Sequence, residues 1–569
     1  MNNQNDLNIL RHSAAHLLAH AIMELYPDTK LTIGPATPNG FFYDVLPTKN
    51  FTLKDLPLIE ERMHEIAQKD YPITGGQVPK PQAYQLYQNN QFKRELIDGI
   101  EGETVGIYHQ GNFFDLCKGG HVKSLGQIKH FKLTGISGSY WRADRNGIAL
   151  QRISGVVFPT QKELDDYFAQ IEEAKKSDHR YLGQQLDLFT FHDEAPGSVF
   201  FHDKGVKLFN TLVAYSRYMQ QDDYQEIRTP ILNNESLYKT SGHYDNYHHH
   251  AYVTTVEETN YWIRPMNCPS CVLLFNERPR SYRELPLRIS EYGLCHRFEL
   301  SGVLHGLFRV RSFTQDDAHI FCTVEQMEQE AVKVLSLAII MYRRFGFENI
   351  KWAVSTRPEK FMGSPELWEI ATKTLKTALE QLNCSFIVQE GEGAFYGPKI
   401  EIKIEDRMGR EWQCGTLQVD FNMPERFDLT FVQADQQRGR PVMLHRAIYG
   451  SIERFLGILI EHYKGHFPFW LAPVQATVLT ITDEQKTYAH EIARTLEKRA
   501  KIRVKVNNSS DPISGQIKDA QLMGIPWMLV VGKKEVAQNT VTIRYLDGKQ
   551  EFGITIDDLV QRALQANEF

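Results

Sequence analysis

The chain has 569 residues, 42% of them hydrophobic, and a formal net charge of −6, which is more than one core supports and implies about three or four domains. The acidic balance excludes a coat of basic charge for nucleic acid, so any RNA contact must be local. No run approaches the ~20 apolar residues of a membrane helix, the Met-Asn-Asn-Gln-Asn-Asp start lacks a secretory pattern, and the seven cysteines (117, 268, 271, 295, 322, 384 and 414) make no disulfide framework, so a cytoplasmic protein without a membrane partner is expected.

In chain order, residues 1–150 mix a helix from Ile9 to Leu25 with short strands and glycine turns at Gly119-Gly120 and Gly135-Ile-Ser-Gly138, an α+β composition. His12 and His16 are four apart on that helix and face one way, and Cys117-x-x-x-His121 follows later. Pro159 and Thr160-x-x-Glu163 read as a capping box opening a charged connector helix within 156–184, with Leu164, Tyr167, Phe168 and Ile171 at helical spacing. From 185 to 472 regular β-α alternation is scarce. A helix from Val206 to Met219, with Leu208, Phe209, Leu212 and Val213 on one face, suggests helices flanking an antiparallel sheet. After Pro473, strands at 477–481, 502–506, 527–531 and 541–545 interleave with helices at 484–499, 514–522 and 556–564, predicting a separate α/β domain. There Lys498, Arg499, Lys501, Arg503 and Lys505 read either as a local RNA patch or, more commonly, as a solvated face.

Arg297 and Glu299, two apart, would share one face of a strand, and Arg309 follows a loop holding Gly302 and Gly306. Such a hairpin presents two guanidiniums, the group suited to phosphate, although a salt-bridged surface hairpin is commoner. The strand Val442–Ile448 runs into Gly450-Ser-Ile-Glu-Arg454 and an apolar helix, placing another arginine where glycine lets a nucleotide approach the backbone. A P-loop motif does not occur.

Pro230 after a long helix and strand, Arg297-Phe-Glu299, and Gly450 to Arg454 resemble the three signatures of the class II aminoacyl-tRNA synthetases. Ser290–Phe321, with its Gly-Leu-Phe-Arg-Val-Arg-Ser-Phe-Thr-Gln-Asp-Asp-Ala-His-Ile-Phe run, is similar to their threonine-specific branch, and the likeness spans essentially the whole chain. The resemblance implies a multidomain α+β fold: an N-terminal α+β editing domain (1–155), a connector helix (156–184), a class II antiparallel-sheet catalytic domain with a zinc site (185–472) and a C-terminal α/β anticodon-binding domain (473–569). The implied reaction activates L-threonine with ATP as threonyl-adenylate and transfers it to the 3′ end of tRNA(Thr), in a homodimer built through the first signature. By the same resemblance Arg297, Glu299, Arg309, Phe313, Gln413, Thr416 and Arg454 contact ATP, which comes with Mg2+. Phe313 stacks on adenine, and Arg297, Arg454 and Lys399 in Tyr-Gly-Pro-Lys serve catalysis. Gln315, Asp317, Tyr396 and Gln418 surround threonine, Cys268, His319 and His445 hold one zinc ion per subunit, and Glu535 and Arg544 read the anticodon. Three protein ligands leave zinc positions open for a substrate, while Cys268-Pro-Ser-Cys271 by itself also reads as a redox dithiol or a structural zinc pair.

A site that demands a hydroxyl rejects valine by up to ~10⁴–10⁵-fold, but serine lacks only a methyl, worth ~1–3 kcal/mol, so a second, hydrolytic site is the physical remedy. His12-x-x-x-His16 paired with Cys117-x-x-x-His121 resembles the editing domain shared by threonyl and alanyl enzymes, which hydrolyses mischarged Ser-tRNA(Thr). Metal-free hydrolysis is implied, although the residue types also permit a second zinc. Lys93 and Asp115 join by position, with surface roles an equal reading. The histidine helix begins almost at Met1, where most members carry a ubiquitin-like domain, so a form without that domain is expected. Ser270 and Cys271 stand where relatives have Gly-His, and Asn507-Asn-Ser-Ser-Asp-Pro-Ile513 replaces a charged run, which should weaken RNA-backbone contacts. A divergent or inhibitor-tolerant copy fits these departures. The rivals are a catalytically reduced tRNA-binding regulatory paralogue and a freestanding editing hydrolase, which would not need residues 185–472.

Overall fold

The computed structural model describes residues 3–38, 40–144 and 147–569, which form two compact units, Met1–Ala174 and Lys175–Phe569. The first opens on the helix Asn3–Leu25. Its Ala14, Ala15, Leu17, Leu18, Ala19, Ala21 and Ile22 are fully buried, and the many small residues let the helix lie close on an antiparallel sheet whose neighbours include Gly40–Leu46, Ala149–Phe158 and His130–Tyr140. A smaller antiparallel sheet, Ile73–Pro79, Thr104–Gln110 and Phe113–Leu116, leads directly into Cys117. The Thr160–Glu163 capping box forms as expected: Glu163 N–H donates to Thr160 Oγ1 at 3.3 Å, and Thr160 N–H donates to Glu163 Oε2 at 3.0 Å, at the head of the helix Gln161–Lys176.

In the second unit, an eight-stranded sheet among the described residues runs in the order Gln225–Glu226, Leu287–His296, Ser312–Cys322, Val442–Ser451, Glu411–Asp420, Lys399–Glu405, Ile350–Ser355 and Phe386–Gln389. All but the two edge pairings are antiparallel. Helices Asp203–Gln220 and Met327–Arg344 pack onto it through one apolar stripe each, with Asp203 or Glu328 in the first turn and Arg217 or Arg343 in the last, complementing the helix dipole. Val442–Ser451 is buried from Val442 to Tyr449, which explains its near-continuous apolar run. The helix Ile452–His462 follows at once, and Arg454 is its one residue that is not fully buried.

Within the same unit a five-stranded sheet takes the order Val504–Val506, Ala476–Thr480, Trp527–Val531, Thr540–Tyr545 and Gln550–Thr555, the first two pairings parallel and the last two antiparallel. The helix Lys533–Gln538 and the strand Gln550–Thr555 are additions to the sequence expectation. Two members of the basic run are engaged within the protein: Arg503 turns inward onto the carbonyls of Trp470 and Ala472 at 2.7 and 3.0 Å, and Arg499 pairs with Asp557 at 2.8 Å. Among the described residues no helix is long and apolar enough to cross a membrane.

Candidate functional site

In the first unit, His12 and His16 share one helix face with ring centroids 5.0 Å apart, and His121 lies 4.6 Å from each. After Cys117 the chain reverses through Gly119 and Gly120, at φ 95° and 83°, the left-handed region open to glycine. The turn sets Cys117 Sγ 3.2 Å from His121 Nε2 and 3.3 Å from His12 Nε2. Burial depresses all three histidines, His16 to about 3 and His121 to about 4, and raises the Cys117 thiol, so the site presents neutral imidazoles and an unionised thiol.

Lys93 and Asp115 form a buried pair beside these rings, 2% and 1% exposed, which overturns the surface reading for both. Tyr43, which the sequence does not single out, donates its hydroxyl to Asp115 and accepts from Lys93 Nζ at 2.9 Å. Asp115 also faces His16 Nδ1 at 3.8 Å. Burial pushes the Asp115 carboxyl up, but Lys93 and then His16 outweigh it and hold the group below its usual value. A cavity of about 990 Å³ opens here, lined by His12, His16, Tyr43, Lys93, Asp115 and Cys117 together with Arg11, Thr32 and Gly34.

The second unit holds a cavity of about 440 Å³ into which the Leu287–His296 and Ser312–Cys322 hairpin and the Arg454 helix converge, lined by Arg297, Glu299, Arg309, Phe313, Gln315, Gln413 and Arg454. The hairpin opens after His296, so Arg297 and Glu299 lie beyond the strand and the shared-face expectation does not apply; Arg297 N–H still donates to Arg311 O at 2.9 Å. Arg297 Nε donates to Pro265 O at 3.1 Å, and its guanidinium stands 5.0 Å over the Phe313 ring. Arg309 is held by Glu299 at 3.0 Å. Arg454 Nε is buried with no hydrogen-bond partner among the described residues, a cation suited to an anionic ligand. Gly450 has φ 79°, and a Cβ there would meet Cys414 O at 2.5 Å. Lys403 pairs with Gln413 and Ile402 with Gly415, which leaves Cys414 as a bulge and brings Gln413 and Thr416 toward one face. Thr416 itself sits between Glu401 and Ala447, and Lys399 pairs with Glu401 at 2.7 Å.

On the same sheet His319 and His445 are direct cross-strand partners with rings 5.0 Å apart, and Gln418 flanks His445. Cys268, first residue of the helix Cys268–Asn276, completes a cluster whose ligand atoms lie within 4.8 Å of one another. His445 Nε2 is 3.0 Å from Asp420 Oδ2, which leaves Nδ1 free, and His319 Nε2 is buried with no hydrogen-bond partner among the described residues. Burial raises the Cys268 thiol and depresses His319. An orphaned imidazole nitrogen, a second imidazole oriented by a carboxylate and a buried sulfur fit a borderline-soft cation such as zinc. Asp317 Oδ2 lies 3.7 Å from His319 Nε2 and accepts from Asn267 Nδ2 at 3.1 Å, and Tyr396 donates its hydroxyl to Gln418. Cys271 is a buried free thiol outside every metal-capable cluster among the described residues. Ser270 Oγ donates to Asn233 Oδ1 at 3.4 Å.

Three further residues, Asn267, Asp316 and Glu453, shape this region without a distinct sequence signal of their own. Asn267 holds Asp317. Asp316, across a bulge at Gln315/Asp317, accepts from the amides of Ile448, Tyr449 and Gly450 at 3.0, 3.0 and 2.9 Å. Glu453 accepts from Thr314 N–H at 2.8 Å, so each strand is clasped by a carboxylate of the other's segment. In the C-terminal sheet, Glu535 accepts from Gly532 N–H at 3.0 Å and Thr542 Oγ1 at 3.1 Å, and Arg544 follows two residues later on the same strand face. Asn507 to Asp511 fold as a loop closed by Asn507 Oδ1 on Ser509 N–H at 2.9 Å.

Residues 252–463 match the tRNA synthetase class II core domain (G, H, P, S and T), residues 475–566 the anticodon binding domain, and residues 105–154 the threonyl and alanyl tRNA synthetase second additional domain. The threonine–tRNA ligase of Desulfatibacillum aliphaticivorans is 50% identical over 560 residues, 98% of this chain and 87% of that protein. The threonine–tRNA ligase of Acetivibrio thermocellus is 48% identical over 560 residues, 98% of this chain and 88% of that protein. Among solved structures, the RNA binding domain of threonyl-tRNA synthetase from Cryptosporidium parvum Iowa II is similar with a TM-score of 0.67 and 40% identity, across 68% of this chain and 98% of that one.

Proposed function

The chain belongs to the threonyl-tRNA synthetase family of class II enzymes, and from that premise we propose how its two sites divide the work. The observation that carries the reading is the convergence of Arg297, Arg309 and Arg454 on one cavity beside Phe313, with Arg454 Nε left without a partner. ATP binds there, with Phe313 against the adenine, Gln413, Thr416 and Glu299 around the nucleotide, and the guanidiniums on its phosphates. The threonine carboxylate attacks the α-phosphorus and pyrophosphate leaves; the 3′-terminal ribose hydroxyl of tRNA(Thr) then takes the acyl group and AMP leaves. Arg297, Arg454 and Lys399 stabilise charge that develops on oxygen, and the rest is positioning. Mg2+, arriving with ATP, supplies charge neutralisation at the phosphates when bound.

Cys268, His319 and His445 would hold zinc, one ion per subunit, which when bound supplies a Lewis-acid contact to the amino and hydroxyl groups of threonine. Asp317, fixed by Asn267, Gln315 and the Tyr396–Gln418 pair close around the amino acid and leave valine with unmet polar partners. In the first unit the neutral set His12, His16, His121 and Cys117, backed by Lys93 and Asp115, orients water on the ester of Ser-tRNA(Thr) without a metal. Glu535 and Arg544 face the anticodon, the exposed Ile231 and Leu232 beside Pro230 suit a homodimer interface, and the enzyme acts in the cytoplasm. Domain bounds of 1–155, 156–184, 185–472 and 473–569 go with these roles. Nothing supports a catalytically reduced paralogue, and Arg297, Glu299, Arg309, Phe313, Gln413 and Arg454 line one cavity. Threonine-dependent ATP–pyrophosphate exchange tests the reading: exchange is expected, and its absence with zinc supplied would end it.

A further inference from the structure

We propose that His179 is a positioning residue that seats the ATP-contacting loop against the Arg454 helix; the proposal rests on the adenylation reading above. His179 begins the short helix His179–Gln185 and is 0% exposed, outside the ATP cavity. Its Nε2 accepts the N–H of Leu307 at 2.9 Å. The ring is therefore neutral with its proton on Nδ1, which points at Glu461 Oε1 at 2.6 Å, and the His179 N–H donates to that same oxygen at 2.9 Å. Leu307 belongs to the loop between Glu299 and Arg309, while Glu461 lies on the helix that carries Arg454 and is paired through its other oxygen with Arg410 at 2.6 Å. One imidazole thus joins the two elements whose arginines meet at the cavity.

The loop packs closely against His179. Phe308, which lines the cavity, lies with its ring 4.0 Å from that of His179 and 4.4 Å from Trp412. Gly306 has φ 49°, and a Cβ on it would stand 2.1 Å from His179 Nε2. A residue that merely filled this space would need neither an acceptor toward Leu307 nor a donor toward Glu461. Histidine supplies both from opposite edges of one rigid ring.

The test compares the full chain with His179→Asn and His179→Gln in ATP–pyrophosphate exchange, measuring KM for ATP and KM for threonine separately, with zinc content and thermal unfolding alongside. Asparagine keeps a donor for Glu461 but offers Leu307 no acceptor, whereas the longer glutamine amide places an oxygen near the position of Nε2. Losing one buried acceptor should raise KM for ATP about tenfold in the asparagine variant, leave KM for threonine and zinc content within twofold, and be largely recovered by glutamine. Gly306→Ala, which keeps His179 and lifts the loop off it, should give the same ATP-selective change. An unchanged KM for ATP, or equal changes in both constants for both His179 variants, overturns the proposal. Absence of exchange in the unaltered chain would instead remove the adenylation reading beneath it.

Discussion

Replacing Lys93 with methionine keeps most of the side-chain volume and removes the cation, so it isolates the buried charge pair of the N-terminal unit. Lys93 and Asp115 are 2% and 1% exposed, and Asp115 keeps the Tyr43 hydroxyl and the Leu116 N–H at 2.8 Å when Lys93 is gone. Removing one partner of a buried pair costs ~3–5 kcal/mol, and the surviving donors place the expected loss near ~3 kcal/mol. The Asp115 carboxyl should shift upward, because burial is the largest influence on it and Lys93 the largest opposing one. Lys93→Met combined with Asp115→Asn removes both charges and should recover most of the loss, since an uncharged pair leaves nothing ionic unmatched. Calorimetry resolves the unfolding of the N-terminal unit, and deacylation of Ser-tRNA(Thr) reads its chemistry. Threonine-dependent exchange, carried by residues of the other unit, should stay within about twofold of the unaltered chain. A single variant within ~1 kcal/mol of the parent, or a double variant as damaged as the single, would refute the charge-pair argument.

Cys268→Ala should remove stoichiometric zinc, measured by metal analysis of the purified chain, and lower metal affinity by more than the ~10–100-fold of an outer-shell change; retained stoichiometric zinc would contradict the ligand assignment. Glu453 gives a pH prediction. Burial raises its carboxyl from 4.5 to about 7, so between those values the folded chain holds more protons than the unfolded one, and stability falls as pH rises through that window. The slope is at most ~1.4 kcal/mol per pH unit from this group, and Asp316, raised to about 6 by burial, acts in the same direction. Glu453→Gln should flatten part of that slope, so melting temperatures of parent and variant taken from about pH 5 to about pH 8 should diverge; parallel curves would show that Glu453 does not titrate in this way.

Local chemistry was legible wherever it depends on residues close in the chain. The Thr160–Glu163 box, the His12/His16 face and the glycine at the strand-to-helix turn before Arg454 follow from helical spacing and backbone freedom. Arrangements set by register were not. No periodicity within either strand indicates that His319 lies opposite His445, because pairing between distant strands is decided by which faces are buried. The bulge at Gln315/Asp317 hides Asp316 in the same way: the clasp on three amides of another strand exists only once the sheet has formed. The sequence leaves Lys93 balanced between a site role and a surface role because lysine is almost never fully buried without a partner, and the partner here comes from a different element. The strand Gln550–Thr555 escapes detection because it is an edge with Phe552 71% exposed, so burial imposes no clean alternation.

Seen through their hydrogen bonds, the residues proposed to contact ATP and threonine share one frame rather than two adjoining pockets. Arg264, 2% exposed, donates to Thr229 Oγ1 at 2.6 Å and to Leu294 O at 2.8 Å and pairs with Glu291 at 3.0 Å, tying the segment before Pro230 to the strand that leads to Arg297. The next residue, Pro265, gives its carbonyl to Arg297 Nε; Asn267 then fixes Asp317, and Cys268 begins the metal cluster. Gly293 must be glycine for this to close, because a Cβ there would meet Asn267 Oδ1 at 2.0 Å. Attack on phosphorus requires the reacting atoms within ~3–3.5 Å of each other, a tolerance that two independently mobile pockets would not hold. Residues 264–268 make Arg297 and Asp317 neighbours of one short, buried segment, so under the roles proposed above the phosphate and threonine contacts would share a single frame.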